Sequence, residues 1–469
     1  NTSAATVDSA AWWNDTAPTS SVFTVGTDHS VNANGENYIA YIFAHNDGDG
    51  EFGPDSDQDI IKCGSYTGNA SKPGPSIDLG FEPQWLLVKD TTSANDWFVW
   101  DTMRGLPSNV NNSTASLSAN TSAAEVTQYG TGPTPTGFQI QDNNAAINAS
   151  GNTYIYMAIR RGPLAPPEVG TEVFALQQDN FDTNAPAFRS SFPVDFAIER
   201  RVNIAASNYI VPRLTAPNFL KTDASQPENH GGANAEYVFD YSNGWNSTAG
   251  QNANTIAYMW GRAPSFCDVV AYTGNGTAGH TVSHNLTVPP EMMWIKERDT
   301  LRVWSVYHTG THATAPEDYN LKLDTDEAVN ATSRLNSTAP TSSNFTLGSS
   351  VVVNESSKPY IAYLFASLAG VSKVGSYTGN GTDGRTIDCG FTTSARFVLG
   401  RRIDGASGWF LFDSVRGITA NYDPWLALDN TDAQTTNDNI IKPDSNGFAL
   451  GEAGHLNQSG GSFIFYAIA

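Results

Sequence analysis

At 469 residues the chain has the length of three or four domains, and each could bury its own core. Its 25 basic against 47 acidic side chains give a net charge of −22, which argues against DNA, RNA or an anionic membrane as partner, since phosphates demand Lys and Arg. No run of ~18 apolar residues is present to span a membrane, and Cys63, Cys267 and Cys389 share no spacing that would make a disulfide framework or a zinc site.

Residues 1–45 read as the second half of a repeat. Asn14–Gly26 (NDTAPTSSVFTVG) matches Asn336–Gly348 (NSTAPTSSNFTLG), and the match runs without a gap from 14–44 onto 336–366. A half-sandwich cannot bury its apolar face alone. Its front strands are therefore expected from residues upstream of Asn1, the favoured source, or from a neighbouring subunit. Residues 46–59 form an acidic, Gly-rich linker. Repeat one follows at 60–162, then a stiff Pro-rich link, then the divergent repeat two at 169–263. Repeat three spans 266–368 and repeat four 372–469. Cys-Gly-Ser-Tyr-Thr-Gly-Asn at 63–69 returns as Val-Gly-Ser-Tyr-Thr-Gly-Asn at 374–380 and, more loosely, at 269–275. Tyr66, Tyr272 and Tyr377 stand 206 and 105 residues apart, two periods and then one.

Inside a repeat the pattern is all β. Thr-Gly-Asn-Gly at 273–276 and 378–381 supplies a tight turn. An apolar strand follows (Trp85–Lys89, Met292–Lys296, Phe397–Arg401, and Phe196–Arg200 in repeat two), ending on a basic side chain. Eight residues later a Trp opens the next strand in three repeats, as Trp97, Trp304 and Trp409. The closing strands, such as Tyr154–Ile159 and Phe463–Ile468, are continuously apolar, as expected of a strand covered on both faces. The fold class that follows is an all-β tandem array of antiparallel β-sandwiches of about 100 residues each. Short, stiff links predict a rod or a compact stack.

The order GSYTGN, Gly-Phe-x-Pro-x-Trp, Trp-x-x-x-Asp-x-x-Arg-Gly and a closing aromatic strand resembles repeats in virion structural and tail-fibre proteins of marine tailed phages. The strand pattern also looks like concanavalin-like and laminin-G-like jelly-roll sandwiches. The resemblance covers about nine-tenths of the chain and is good in repeats one and four, partial in three and weak in two. It implies a non-enzymatic virion appendage at the particle surface, outside the cell, serving structural display and host attachment, with a host-surface glycan as ligand. The partners it implies are other virion proteins and further copies of the chain, as a homo-oligomer for which a trimer is the usual fibre number. Two rival readings are a self-assembling extracellular filament or surface sheath, and a soluble lectin.

The candidate residues each carry two readings. Asp101 with Arg104, and Asp413 with Arg416, either grip a carbohydrate or fasten the turn after the Trp strand, and their recurrence favours the turn. Trp97, Trp304 and Trp409 read as core anchors of each sandwich rather than sugar platforms. Loop aromatics suit a sugar better, which singles out Trp245, Tyr422 and Trp425. Asp47, Asp49, Glu51, Asp55, Asp57 and Asp59 alternate along the linker as in a calcium loop, although Phe52 and Gln58 break the EF-hand register and a solvated linker competes. His280, His284, His308 and His312 in repeat three read as scattered surface histidines, with metal binding as the rival. No catalytic motif is evident, and Glu228 and Glu236 are the carboxylates on which a glycosidase reading would rest.

Overall fold

The computed structural model describes residues 9–45, 50–108, 114–178, 185–230, 237–247, 254–419, 421–452 and 454–469. The fold is all β, with strands in antiparallel sheets and, among the described residues, only single-turn helices between them. Repeat four shows the plan. Its large sheet runs in the order Ser372–Thr378, Ser462–Ile468, Phe397–Arg402, Phe410–Asp413, Asp423–Ala427, Thr435–Asp438. A smaller sheet of Arg385–Asp388, Gly447–Leu450 and Ile441–Asp444 packs across it. Repeats one and two have the same six-plus-three arrangement. In repeat three the large sheet keeps four strands.

The GSYTGN motif is a clasp between the ends of each sandwich. The Tyr66, Tyr272 and Tyr377 hydroxyls each donate, at 2.8 Å, to a carbonyl about 80 residues on, at Ile147, Val353 and Leu456. A buried Asn closes the turn from the other side. Asn354 Oδ1 accepts from the Asn275 N–H at 2.8 Å, while its Nδ2 donates to the Thr277 and Gly348 carbonyls. Asn148 and Asn457 repeat this set in repeats one and four. The motif's second Gly has a steric cause, because a Cβ on Gly274 would lie 2.3 Å from the Glu355 carbonyl oxygen.

In the N-terminal half repeat the local structure of repeat three returns bond for bond. The Tyr38 hydroxyl donates to the His29 carbonyl (2.6 Å) and accepts from Ala33 N–H (2.7 Å). Tyr360 does the same with Val351 and Glu355. Asn14 and Asp15 have φ of 51° and 47°, as Asn336 and Ser337 have 55° and 48°. Among residues 9–45 no strand forms. Tyr41 and Ile42 are 81% and 76% exposed, whereas their counterparts Tyr363 and Leu364 are sealed in repeat three.

Each sandwich has its own core, and repeats two, three and four share one more. Alternate residues of their large sheets point away from their own small sheets and meet in a single cluster. Every residue of the closing strands Thr255–Trp260 and Phe463–Ile468 is buried, because one face meets its own sandwich and the other meets two sister repeats.

Candidate functional site

The most elaborate constellation is this shared core and the clasps around it. Phe397 of repeat four meets Phe174, Tyr258 and Trp260 of repeat two with ring centroids 5.3, 5.8 and 5.6 Å apart. Phe196 of repeat two meets Tyr363 of repeat three at 5.1 Å, and Phe365 of repeat three meets Tyr466 of repeat four at 4.9 Å. The contacts run 2 to 4, 4 to 3 and 3 to 2, so three repeats close a ring about a pseudo-three-fold axis. Offset and edge-to-face ring pairs of this kind add stability beyond the area they bury.

The basic residue that ends the apolar strand of repeats two, three and four fastens the ring. Arg401 lies over the Trp409 ring at 5.0 Å and donates to the carbonyls of Lys322 and Thr325 (2.9 and 3.1 Å) and of Glu327 in repeat three. Arg200 donates to Ala427 and Asn430 (2.6 and 3.1 Å) and to Asp432 in repeat four, one period of 105 residues later in each case. Lys296 completes the cycle by reaching the Ser225 carbonyl of repeat two at 3.3 Å. Burial lowers the pKa of Arg401 to about 10 and that of Lys296 to about 8. The Trp slot works beside it. Trp304 Nε1 donates to Lys221 and Trp409 Nε1 to Lys322, both at 2.8 Å, and in repeat two Asn208 Nδ2 takes the role toward Ala427 at 3.1 Å. These tryptophans therefore anchor one repeat to the next, not the interior of their own sandwich as expected. Their side chains stand on the outer face of the strand.

The Asp–Arg pairs fasten turns. Arg104 Nε donates to Asp101 at 2.7 Å, and Arg416 Nε to Asp413 at 2.5 Å. Asp413 is also buried in the ring, where the Tyr258 hydroxyl of repeat two donates to it at 2.8 Å. Repeat three has His308 in this slot, fully buried rather than on the surface. Its Nδ1 accepts from Gly310 N–H at 2.9 Å, so Nε2 carries the proton and donates to the Phe465 carbonyl at 3.3 Å. Burial lowers its pKa to about 4. His284 is buried as well, again against the surface reading.

Repeat one docks on the ring through a buried charge cluster. Arg262 grips Glu82 with two hydrogen bonds of 2.7 and 2.9 Å and lies 3.4 Å from Asp268. Asp195 accepts from Arg161 (2.5 Å) and from the Arg262 N–H (2.6 Å). Burial by itself would raise the Asp195 pKa, yet Arg161, Arg262 and Arg213 together hold it below the usual value. A buried charge is tolerated only when paired and hydrogen-bonded in this way.

The aromatic candidates separate. Trp245 is fully buried, stacked between Phe188, Tyr237 and Phe239 at 5.6–5.7 Å, so it is a core residue of repeat two and no sugar can reach its face. Tyr422 is 66% exposed and stands at φ 67° beside the strand that carries Trp425. Trp425 is half-buried against Phe410 and His455, with its Nε1 donating to Asp438 at 2.8 Å. Of the acidic loop, Asp47 and Asp49 lie outside the described residues. Asp59 accepts from Gly50 N–H at 3.0 Å, and no group of three His, Cys, Asp or Glu stands close enough to hold a metal ion among the described residues. Glu228 is committed to Arg298 at 2.7 Å, and Glu236 lies outside the described residues. No helix among the described residues is long and apolar enough to cross a membrane.

An open cleft of about 730 Å³ lies between repeats one and three, its lining a mixture of polar side chains such as Ser76, Thr134, Gln139 and Ser283 with apolar ones such as Pro133, Pro135 and Val282, and with Tyr272 and His280 among them. The alignment could have pointed to Asn148, Asn354 and Asn457, which recur with the repeat. The carbonyls that Arg200 and Arg401 hold carry no side-chain signal, so no reading of residue types could find them.

The chain belongs to the DUF7483 family, described as a domain of unknown function, whose match covers residues 1–163 and 219–469. The interruption takes in the link and the first half of repeat two, where the Trp slot holds Asn208 and the Asp slot Pro212. No curated protein and no solved structure matches the chain.

Proposed function

We propose that the chain is a non-enzymatic structural protein of a virion fibre or appendage, displayed outside the cell and serving host-surface attachment. The observation that supports this reading most is the ring. Three of the four complete repeats spend most of a sheet face on one another, and the fourth is locked on by buried ion pairs. That is the construction of a rigid spacer. Fully buried clasps such as Arg401 hold geometry. Attachment belongs to the surfaces left over. The cleft between repeats one and three has hydroxyl and amide groups in a mixed polar and apolar lining that suits the two faces of a sugar ring, and the exposed Tyr422 offers a ring face.

Immunogold electron microscopy of the source material tests the assignment. Label on virion tails or spikes is the expected result. Label along cell-borne filaments would refute it in favour of a filament or sheath subunit. Label on free protein that also binds sugars saturably would refute it in favour of a lectin. A glycan array against the purified chain then tests the cleft, with Gln139→Ala as the variant expected to weaken binding at least threefold.

A further inference from the structure

In repeats two, three and four the outer face of the large sheet is sealed by sister repeats. Repeat one has the same face, built at the same register, and among the described residues no sister repeat covers it. Strand pairing makes the equivalence explicit. Trp85, Leu87 and Lys89 face Ile159, Met157 and Ile155, as Phe397, Leu399 and Arg401 face Ile468, Tyr466 and Ile464. The copies differ in burial. Ile464 is 0% exposed and Ile155 39%. Leu426 is 1% exposed and Leu117, one strand further out in repeat one, 38%.

The clasps are idle too. Lys89, the counterpart of Arg401, folds back onto the carbonyl of its own Asn95 at 2.6 Å. Trp97 keeps the internal half of its arrangement, with its N–H held by Asn120 at 2.8 Å as Asp429 holds that of Trp409. The carbonyls at 118, 121 and 123 correspond to those that Arg200 holds at 427, 430 and 432.

The links explain why repeat one stays outside the ring. Residues 261–266 and 366–371, six each, separate the strands of repeats two, three and four. Thirteen residues, 161–173, separate repeat one from repeat two. The ring of three is closed and has no place for a fourth face.

We infer that repeat one is an assembly module whose outer sheet face joins the same face of two further copies of this chain, closing a three-fold ring that reproduces between chains the ring that repeats two, three and four make within one. The second-copy occupant follows from continuity with the internal interface: this face, wherever it is covered in this molecule, is covered by its own kind. Three identical faces with a basic clasp pointing one way round close under rotation and leave no open end. Lys89 of each chain then reaches the neighbouring 118–123 segment, and Trp97 Nε1 the carbonyl at 118. Nothing in this interface requires the virion setting.

Sedimentation equilibrium of the full chain at micromolar concentration tests this directly. The expected mass is about three times 50.3 kDa, falling to one chain in Ile155→Asp and Leu87→Asp. Cys63 occupies the slot of the sealed Val374 and gives a second readout. Its alkylation is expected to be at least tenfold slower in the trimer than in Ile155→Asp. Ile155 is exposed in the single chain, so this variant keeps the fold, and a retained cooperative melting transition for repeat one verifies it. Tyr41→Asp in the half repeat is expected to stay trimeric. A monomer at every concentration, a trimer that survives Ile155→Asp, or a trimer lost in Tyr41→Asp would each overturn the proposal.

Discussion

Phe397→Ala is the sharpest test of the shared core. Phe397 belongs to repeat four, is fully buried, and has three of its ring neighbours in repeat two. Removing a buried Phe side chain costs about 3–5 kcal/mol, and the larger value applies where the site cannot collapse. Here collapse is resisted, since Trp260 is pinned by Phe196 stacked on it at 4.7 Å and Phe174 by the Arg396 guanidinium. If repeats two to four unfold as one unit of about 300 residues, the unfolding entropy is roughly 0.6 kcal/mol per kelvin, and 4 kcal/mol lowers that transition by about 6 °C. Differential scanning calorimetry of the full chain reads this out. The expected profile has one large transition for the ring, which moves, and one smaller transition for repeat one, which does not. Phe98→Ala, in the separate core of repeat one, is expected to do the reverse. Three ring transitions of which only that of repeat four moves would refute the cooperative core.

Further outcomes follow from the clasps. Arg401→Met keeps the apolar stem over Trp409 but removes donors from three carbonyls, and is expected to destabilise the ring by about 3 kcal/mol in urea unfolding. Glu82→Gln breaks the bidentate grip of Arg262, so repeat one is expected to swing free, with a larger radius of gyration in small-angle scattering and faster proteolysis at 163–168. His308 sets a pH dependence. Its folded pKa of about 4 lies below the ordinary value of 6.5, so the unfolded chain binds the proton first, and stability is full above pH 6.5 and declines as pH falls toward 4. The two-and-a-half-unit gap is worth about 3 kcal/mol, and His308→Gln is expected to flatten the slope of stability against pH in that window.

Much of the fold was legible because repetition and period-two alternation are local signals. The closing strands, apolar at every position, announced cover on both faces; Phe463–Ile468 has it, whereas Tyr154–Ile159 is buried on one face alone, with Ile155 39% exposed on the other. The turn role of Asp413 and Arg416 was legible from its recurrence with the Trp strand. Burial was harder to read. Trp245 looked like a loop aromatic because Gly and Asn surround it in sequence, yet it pairs with Phe188, 57 residues away, and fills a core. The histidines of repeat three looked scattered because their spacing is irregular, while His308 occupies a strand slot that register alone reveals.

The sequence by itself determined the number of repeats, the strands within each and which side chains share a face, since these follow from a two-residue period and from turn chemistry along one stretch of chain. Only the tertiary structure decided what each outer face meets. Trp304 and Trp409 turn away from their own sandwiches, and Arg200 and Arg401 take backbone carbonyls 227 and 79 residues distant. Every residue offers such a carbonyl regardless of its side chain, so the choice among them rests on how the sheets pack and leaves no mark in residue type.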